Sequence, residues 1–222
     1  MDYRFLAEII ALKPQLFRAM LNFNRKSAAP LPEELASLGG PFAGLWTRPD
    51  FRRAWPVPTS SAPGYWSFHE ESRRMALLDA DTVAALGLFF SAAVHGEELA
   101  HVISRDQVLE LRGTLGADIF SYALKRGRYQ ISGLRSVLLV PESYGSLSRR
   151  IRILAALAPA LIAEGWPEEL RVLAQDRLPT ADQTEGEKFE PRLRREQRTA
   201  LWFTMKKLLL REVAPEWAPC FD

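Results

Sequence analysis

The feature that most constrains this chain is residues 82–94, TVAALGLFFSAAV, which contain no charged side chain. On a helix, these apolar or small side chains occupy every face, and such a helix is normally buried among others. Asp81 precedes the stretch, and its carboxylate can accept hydrogen bonds from the free amides of a first helical turn. Gly96 follows, where a helix can bend, end or touch a neighbour closely. We therefore expect a buried central helix.

Two more helices are predicted directly after this stretch. Ser104, with Gln107 three residues later, has the spacing of a capping box. Apolar residues then recur at helical spacing: Val108, Leu111 and Leu115. We expect Gly116 to end this helix and Asp118 to cap the next one, which runs to Gly127. Together these elements predict a helical hairpin core.

The N-terminal part divides into two regions of different character. Residues 3–23 repeat apolar side chains at helical spacing, and Pro14 predicts a kink or two short helices. Residues 24–68 mix prolines with tryptophan, tyrosine and phenylalanine. Prolines forbid a long helix, whereas dense aromatic residues favour an ordered segment packed on the core. Within it, residues 32–38 predict one short helix with proline at its first position.

Downstream of the hairpin, residues 131–140 have a composition that permits a strand or a helix. An isolated strand would have no partner, so we predict a helix. Ser146 or Ser148 begins the next helix, which reaches Pro159, and Pro167 opens another.

The C-terminal part is expected to contain one long helix. Residues 176–191 are polar and mostly acidic, which predicts a mobile loop. The long helix covers about residues 192–213, after which Pro215 and Pro219 are expected to end regular structure.

These elements predict an all-α, irregular multi-helix globular fold around the buried hairpin. The 222 residues suit a single domain, or two lobes divided as 1–140 and 141–222. The formal charge of +2 is nearly balanced, which argues against a strongly basic surface for nucleic acid. A single cysteine and no long apolar span lead us to expect a soluble cytoplasmic protein.

A metal or catalytic site was weighed at His95, Glu97, Glu98 and His101. Their spacing, HGEELAH, differs from the HExxH zinc motif, and the sequence offers no further His or Cys cluster to complete a ligand set. Cys220, paired with a distant histidine, was the other candidate nucleophile, but it lies in a proline-broken tail. We therefore predict no catalytic residue, metal or cofactor. A helical enzyme or metal protein using His95, Glu98 and His101, or Cys220, remains the rival hypothesis.

Two basic clusters complete the candidate sites: Arg149, Arg150 and Arg152, and Arg192, Arg194, Arg195 and Arg198. A solvated helix face is the first interpretation, followed by contact with an acidic protein or anionic lipid. Nucleic acid is less favoured because no aromatic residue is interleaved with the arginines. A helical regulatory binding protein is therefore a third hypothesis.

Several segments together resemble the SctK family, also called the OrgA/MxiK or YscK family, of type III secretion accessory proteins. The similar segments cover roughly the C-terminal two-thirds of the chain. They are residues 86–103 with His95 and Gly96, the helix through Leu115 and Gly116, residues 166–179 ending in Arg-Leu-Pro, and KKLLLREVAPEWAPCF at 206–221. Residues 24–68 do not match the family pattern.

The resemblance implies a non-enzymatic adaptor of the bacterial cytoplasmic sorting platform. Its expected partners are the cytosolic domain of the inner-membrane ring protein and the pod protein that carries the ATPase spokes. No nucleic acid is implied, and membrane association would come only through these proteins. His95 and Gly96 would serve the fold, the glycine through close helix approach and the histidine through a buried or capping hydrogen bond.

The last long helix is predicted to have two apolar faces. One broad stripe is formed by Leu201, Trp202, Met205, Leu208, Leu209 and Val213. Phe203 and Leu210 fall on the opposite side, flanked by Lys206 and Lys207. We expect Phe203 and Leu210 to be at least partly exposed and to contact an acidic partner, foremost the pod protein. The alternative, weighed equally, is a helix buried on both sides, against residues 24–68.

Overall fold

A computed structural model describes residues 3–25, 64–179 and 189–221. Within these ranges the regular elements are helical, as predicted, and no strand occurs. The α-helices are α1 Tyr3–Leu12, α2 Pro14–Arg25, α3 Ala80–Val94, α4 Gly96–Ala100, α5 Arg105–Leu115, α6 Ala117–Lys125, α7 Ser132–Leu138, α8 Leu147–Ala163, α9 Glu168–Ala174, α10 Arg195–Leu208 and α11 Ala218–Phe221. Short 3₁₀ segments are Glu71–Leu77, Gly127–Tyr129, Glu142–Tyr144, Gln175–Arg177 and Pro215–Trp217, and α10 continues as a π-helical turn, Leu209–Val213.

The chain forms two compact units. Unit 1 comprises residues 1–77, 167–173 and 216–222, and unit 2 comprises residues 78–166 and 174–215. The two units do not coincide with the lobes 1–140 and 141–222. Each unit contains segments that are far apart in the sequence.

Unit 1 is built on α1 and α2, which Pro14 separates because it is the first residue of α2. The prediction of two short helices is therefore confirmed. Helix α2 contacts α11 and the 3₁₀ segment Glu71–Leu77. Asn24 fixes the chain beyond α2: its side chain accepts from the Tyr65 amide and donates to the Tyr65 carbonyl, each at 2.8 Å. The Asn24 side chain thus bonds both backbone polar groups of Tyr65, as a neighbouring β-strand would.

Unit 2 is organised around α3, in agreement with the prediction of a buried central helix. From Val83 to Gly96 every residue is buried or half-buried. Helix α3 contacts α6 of the predicted hairpin and packs most extensively on α8, a helix much later in the chain. Leu111 and Leu115 of α5 join the same apolar cluster as Ile151 of α8.

The contact between α3 and α8 depends on small residues. A Cβ atom added to Gly87 would overlap the carbonyl oxygen of Ala155. Four residues along α3, the Ser91 hydroxyl donates to the Ile151 carbonyl at 2.6 Å. Pro159 lies inside α8, and the helix continues to Ala163, beyond the reach predicted from the sequence. Since proline has no amide hydrogen, it leaves the Ala155 carbonyl without its usual helical partner.

Three predicted helix caps need correction. Asp79, and not Asp81, caps α3, because its extended backbone lets the carboxylate accept from the Thr82 amide at 2.8 Å. Asp81 already lies in the first turn. Ser104 occupies the N-cap of α5, but its side chain makes no capping bond. Asp118 lies in the first turn of α6, because Gly116, with φ +86°, both ends α5 and begins α6.

Two further predictions concern residues 131–140 and the C-terminal prolines, and only the first is confirmed. Residues 131–140 contain helix α7, so the choice of helix over strand is confirmed. Pro215 and Pro219 do not end regular structure, because each lies in a short helical segment, a 3₁₀ turn and α11. The predicted helix at 32–38, most of segment 24–68 and residues 180–188 of the predicted loop lie outside the described residues.

In the part of the chain that the structure describes, no helix has both the length and the apolar character needed to cross a membrane.

Candidate functional sites: a buried polar cluster and an exposed helix face

The buried polar cluster lies where α3 ends. The His95 side chain has no exposed surface, and its Nδ1–H donates to the Glu98 carboxylate at 3.2 Å. Arg150 of α8 reaches the same carboxylate oxygen at 2.9 Å and also donates to the Val140 carbonyl at 3.1 Å. The Glu98 carboxylate therefore binds both His95 and Arg150, and these contacts connect α3, α4 and α8.

Gly96 starts α4 beside this cluster. A Cβ atom at this position would lie 2.8 Å from the Arg128 Cβ and 3.0 Å from the Ala123 carbonyl oxygen. Cβ atoms in proteins essentially never come this close to other atoms, so only glycine fits without a shift. The contact supports the predicted role of Gly96 in close helix approach.

The electrostatics of the cluster lower the pKa of His95. Burial lowers the pKa of His95 below its ordinary value of 6.5, the charges of Arg150 and Arg135 lower it further, and the hydrogen bond and charge of Glu98 act in the opposite direction. Among the described residues, the buried Nε2 atom has no hydrogen-bond partner. The imidazole ring is fully buried, whereas the Glu98 side chain is half-buried.

The other residues of the rival metal hypothesis lie apart from this pair. His101 is exposed, and its Nδ1–H donates to the Glu97 carbonyl at 2.7 Å as part of the end of α4. The Glu97 carboxylate forms an ion pair with Arg135 of α7. Across residues 3–25, 64–179 and 189–221, no group of three or more His, Cys, Asp or Glu side chains is arranged to hold a metal.

Cys220 lies in unit 1, buried in α11. Burial raises the pKa of its thiol, an effect that the charges of Arg74 and Lys13 reduce. Its carbonyl accepts from Arg74 at 2.9 Å, and Arg74 also donates to the Phe68 carbonyl at 3.0 Å. Through these two hydrogen bonds, Arg74 connects the C-terminal segment to the chain at Phe68.

The two basic clusters do not behave as single solvated faces. Arg150 is buried and ion-paired, whereas Arg149 and Arg152 are exposed. For Arg150 the interpretation as part of a solvated face was therefore wrong, because the half-buried Glu98 supplies an ion-pair partner from another helix. In the second cluster, Arg198 pairs with Glu164 at 3.0 Å.

Helix α10 presents its predicted broad stripe to the interior. Five of the six stripe residues are buried, and Val213 is half-buried. The π-helical turn begins at Leu209, where the Ala214 amide bonds to the Leu209 carbonyl at 2.8 Å. This turn extends the buried stripe to the end of the element.

The opposite face of α10 carries the residues predicted to meet a partner. Phe203 is 59% exposed, Leu210 is half-buried, Lys206 is half-buried and Lys207 is exposed. The alternative, a helix buried on both sides against residues 24–68, stays a prediction, because residues 26–63 lie outside the described part of the chain. Aromatic residues are enriched at binding surfaces, which is the basis for considering Phe203 as a contact residue.

Sequence reasoning missed two ion pairs that shape these sites. The Arg150–Glu98 pair joins residues 52 positions apart, and the Arg126–Glu212 pair, at 2.8 Å, joins α6 to the π-helical turn. Neither has a local signal, because partners on different helices follow no fixed spacing. The uncharged stretch 82–94 indicated only that later helices pack around α3, without indicating which side chains of those helices form ion pairs.

Comparison with known proteins gives no relative: no protein-family model, no curated protein and no solved structure matches this chain.

Proposed function

We propose that this protein is a non-enzymatic cytoplasmic adaptor of a bacterial type III secretion system. In this proposal it links the cytosolic domain of the inner-membrane ring protein to the pod protein of the sorting platform. The sequence resemblance to the SctK family supplies the identity of the apparatus and of the partners. Membrane association then comes only through those proteins.

The observation that carries an adaptor role is the exposure of Phe203. Its helix already buries one complete apolar stripe within unit 2, so the fold does not need a second apolar face. A solvent-exposed phenylalanine contributes nothing to the core, whereas covering it with a partner removes apolar surface from water. Leu210, half-buried on the same side, would widen that surface.

The buried cluster supports the same proposal in a different way. His95 and Arg150 share the Glu98 carboxylate and connect three helices, which gives the cluster a structural role. In an adaptor, such a cluster keeps the partner-binding helices in one arrangement, as other buried polar networks do.

Co-purification from the native host tests this proposal. An affinity-tagged chain at its natural expression level is expected to retain the ring and pod proteins of a type III secretion system. A tagged, unrelated helical protein of similar size serves as the background control. Recovery of neither protein, from cells in which the secretion system is assembled, would contradict the proposal.

A further inference from the structure

The exposed face of α10 has a regular geometry of its own. Ala200, Phe203 and Lys207 are exposed and Leu210 is half-buried, and their separations are three, four and three residues. The first two separations match the spacing by which one α-helix presents a seam to a second helix, and Leu210 extends the seam into the π-helical turn after α10. The four residues, called the α10 seam below, therefore form a surface suited to a helical partner.

The charge around the α10 seam is positive. Lys207 and Arg211 are exposed, and neither makes an ion pair among the described residues. The nearby carboxylate of Glu212 is only 15% exposed and is bound by Arg126. The C-terminal half of the seam thus offers cationic groups to a partner, whereas the exposed Glu196, one turn before Ala200, places a carboxylate at its N-terminal end.

We propose that the α10 seam binds an acidic amphipathic helix of a partner protein. Apolar residues of that helix cover Phe203 and Leu210, and its carboxylates face Lys207 and Arg211. The small side chain of Ala200 lets the partner backbone approach next to the Phe203 ring. This inference rests on the proposed function for the partner's place in the secretion apparatus, but its chemistry follows from the seam alone.

Site-specific photocrosslinking tests the inference in the intact chain within its native host. A photoreactive p-benzoylphenylalanine replaces Phe203, and in a separate variant it replaces Leu109. Leu109 is a matched control, because it lies on α5 in the same unit and is 55% exposed against 59% for Phe203. Crosslinked peptides are then sequenced by mass spectrometry.

The expected crosslink from position 203 is to a net-negative peptide with apolar residues spaced three and four apart. The double charge reversal Lys207→Glu with Arg211→Glu is expected to reduce this crosslink at least about fivefold, because it turns attraction into repulsion. The reversal Arg194→Glu with Arg195→Glu is the control, since these exposed residues lie on the same helix away from the seam. It is expected to leave the crosslink yield unchanged.

Other crosslinking results distinguish a failure of this inference from a failure of the proposed function. A crosslink to an acidic helix of a protein unrelated to secretion supports the seam chemistry and contradicts the adaptor's assignment. A crosslink to the ring or pod protein through a basic segment or one without helical spacing overturns the inference and leaves the adaptor role standing. A crosslink to a second copy of this chain, or none above the Leu109 control, overturns the inference.

Discussion

Gly87 and Ala155 meet so closely that a Cβ atom on Gly87 would overlap the carbonyl oxygen of Ala155. Pro159, four residues after Ala155, cannot donate to that carbonyl. The glycine inside α3 and, one turn beyond Ala155, the proline inside α8 are each unfavourable in an isolated helix. The close approach at Gly87 depends on a residue that helix propensity alone would disfavour.

Gly87→Ala should destabilise the protein although alanine is the better helix former. The overlap is with backbone, which cannot rotate away, so we expect a loss of about 1–3 kcal/mol, typical of overpacking. Gly113→Ala is the matched control, because a Cβ atom there meets nothing within 4 Å. It should stabilise by about 0.5–1 kcal/mol. Urea unfolding measures both, and equal effects in the two variants would contradict the packing account.

Gly96→Val should also destabilise the protein, by about 1–3 kcal/mol, a range typical of a disruptive core change. Its side chain would press on Arg128 and on the Ala123 carbonyl, at the point where α4 begins. Thermal melting together with co-purification of partners checks this expectation. An unchanged melting temperature with lost partner binding would mean that Gly96 belongs to a recognition motif instead.

His95 should make the protein less stable in acid. Its pKa in the folded state lies below the ordinary 6.5, so the unfolded chain takes up a proton first as the pH falls. The free energy of unfolding should therefore decrease as the pH falls below about 6.5 and level off below the folded-state pKa. His95→Gln should flatten this part of the pH profile, whereas His101→Gln, at an exposed position, should not.

Breaking the Arg150–Glu98 pair should lower the free energy of unfolding more than removing an exposed arginine of the same cluster. Arg150→Met leaves the Glu98 carboxylate, 24% exposed, without its cation, and we expect a loss of about 1–3 kcal/mol after allowing for solvent screening. Arg149→Met, at an exposed neighbour, should change stability by less than about 0.5 kcal/mol. In a double-mutant cycle with Glu98→Gln, purely additive effects would show that the pair is not coupled.

The sequence predicts the helices of this protein better than their packing. Periodic apolar residues identified α5 and the buried stripe of α10, because a helix repeats every 3.6 residues wherever it lies. Proline chemistry identified the split at Pro14. The uncharged stretch identified α3 as central, but being apolar on all faces it could not indicate that α8 is its main partner. That choice depends on the fit of Gly87 to Ala155, which only three-dimensional structure reveals.

For the candidate sites too, the sequence indicated the helices that carry the residues but not the burial of each side chain. The exposure of Phe203 could not be decided from the sequence, because an exposed face and a face buried on residues 24–68 were equally compatible with its place opposite the apolar stripe. The burial of Arg150 could not be predicted either, since the neighbouring Arg149 and Arg152 are exposed and nothing local distinguishes them. The sequence predicted Asp81 as the cap of α3, and the structure uses Asp79, because Asp79 is the residue with an extended backbone.

The central claim, that Phe203 and Leu210 form a partner-binding surface, is tested most directly by the double variant Phe203→Ser, Leu210→Ser. Its melting and its retention of the ring and pod proteins are measured together, with Leu109→Ser as the exposed apolar control. We predict that the double variant stays folded, melts within a few degrees of the parent and no longer retains its partner, while Leu109→Ser retains it. Undiminished retention by the folded double variant, or a variant that is insoluble or melts far lower, would contradict the claim.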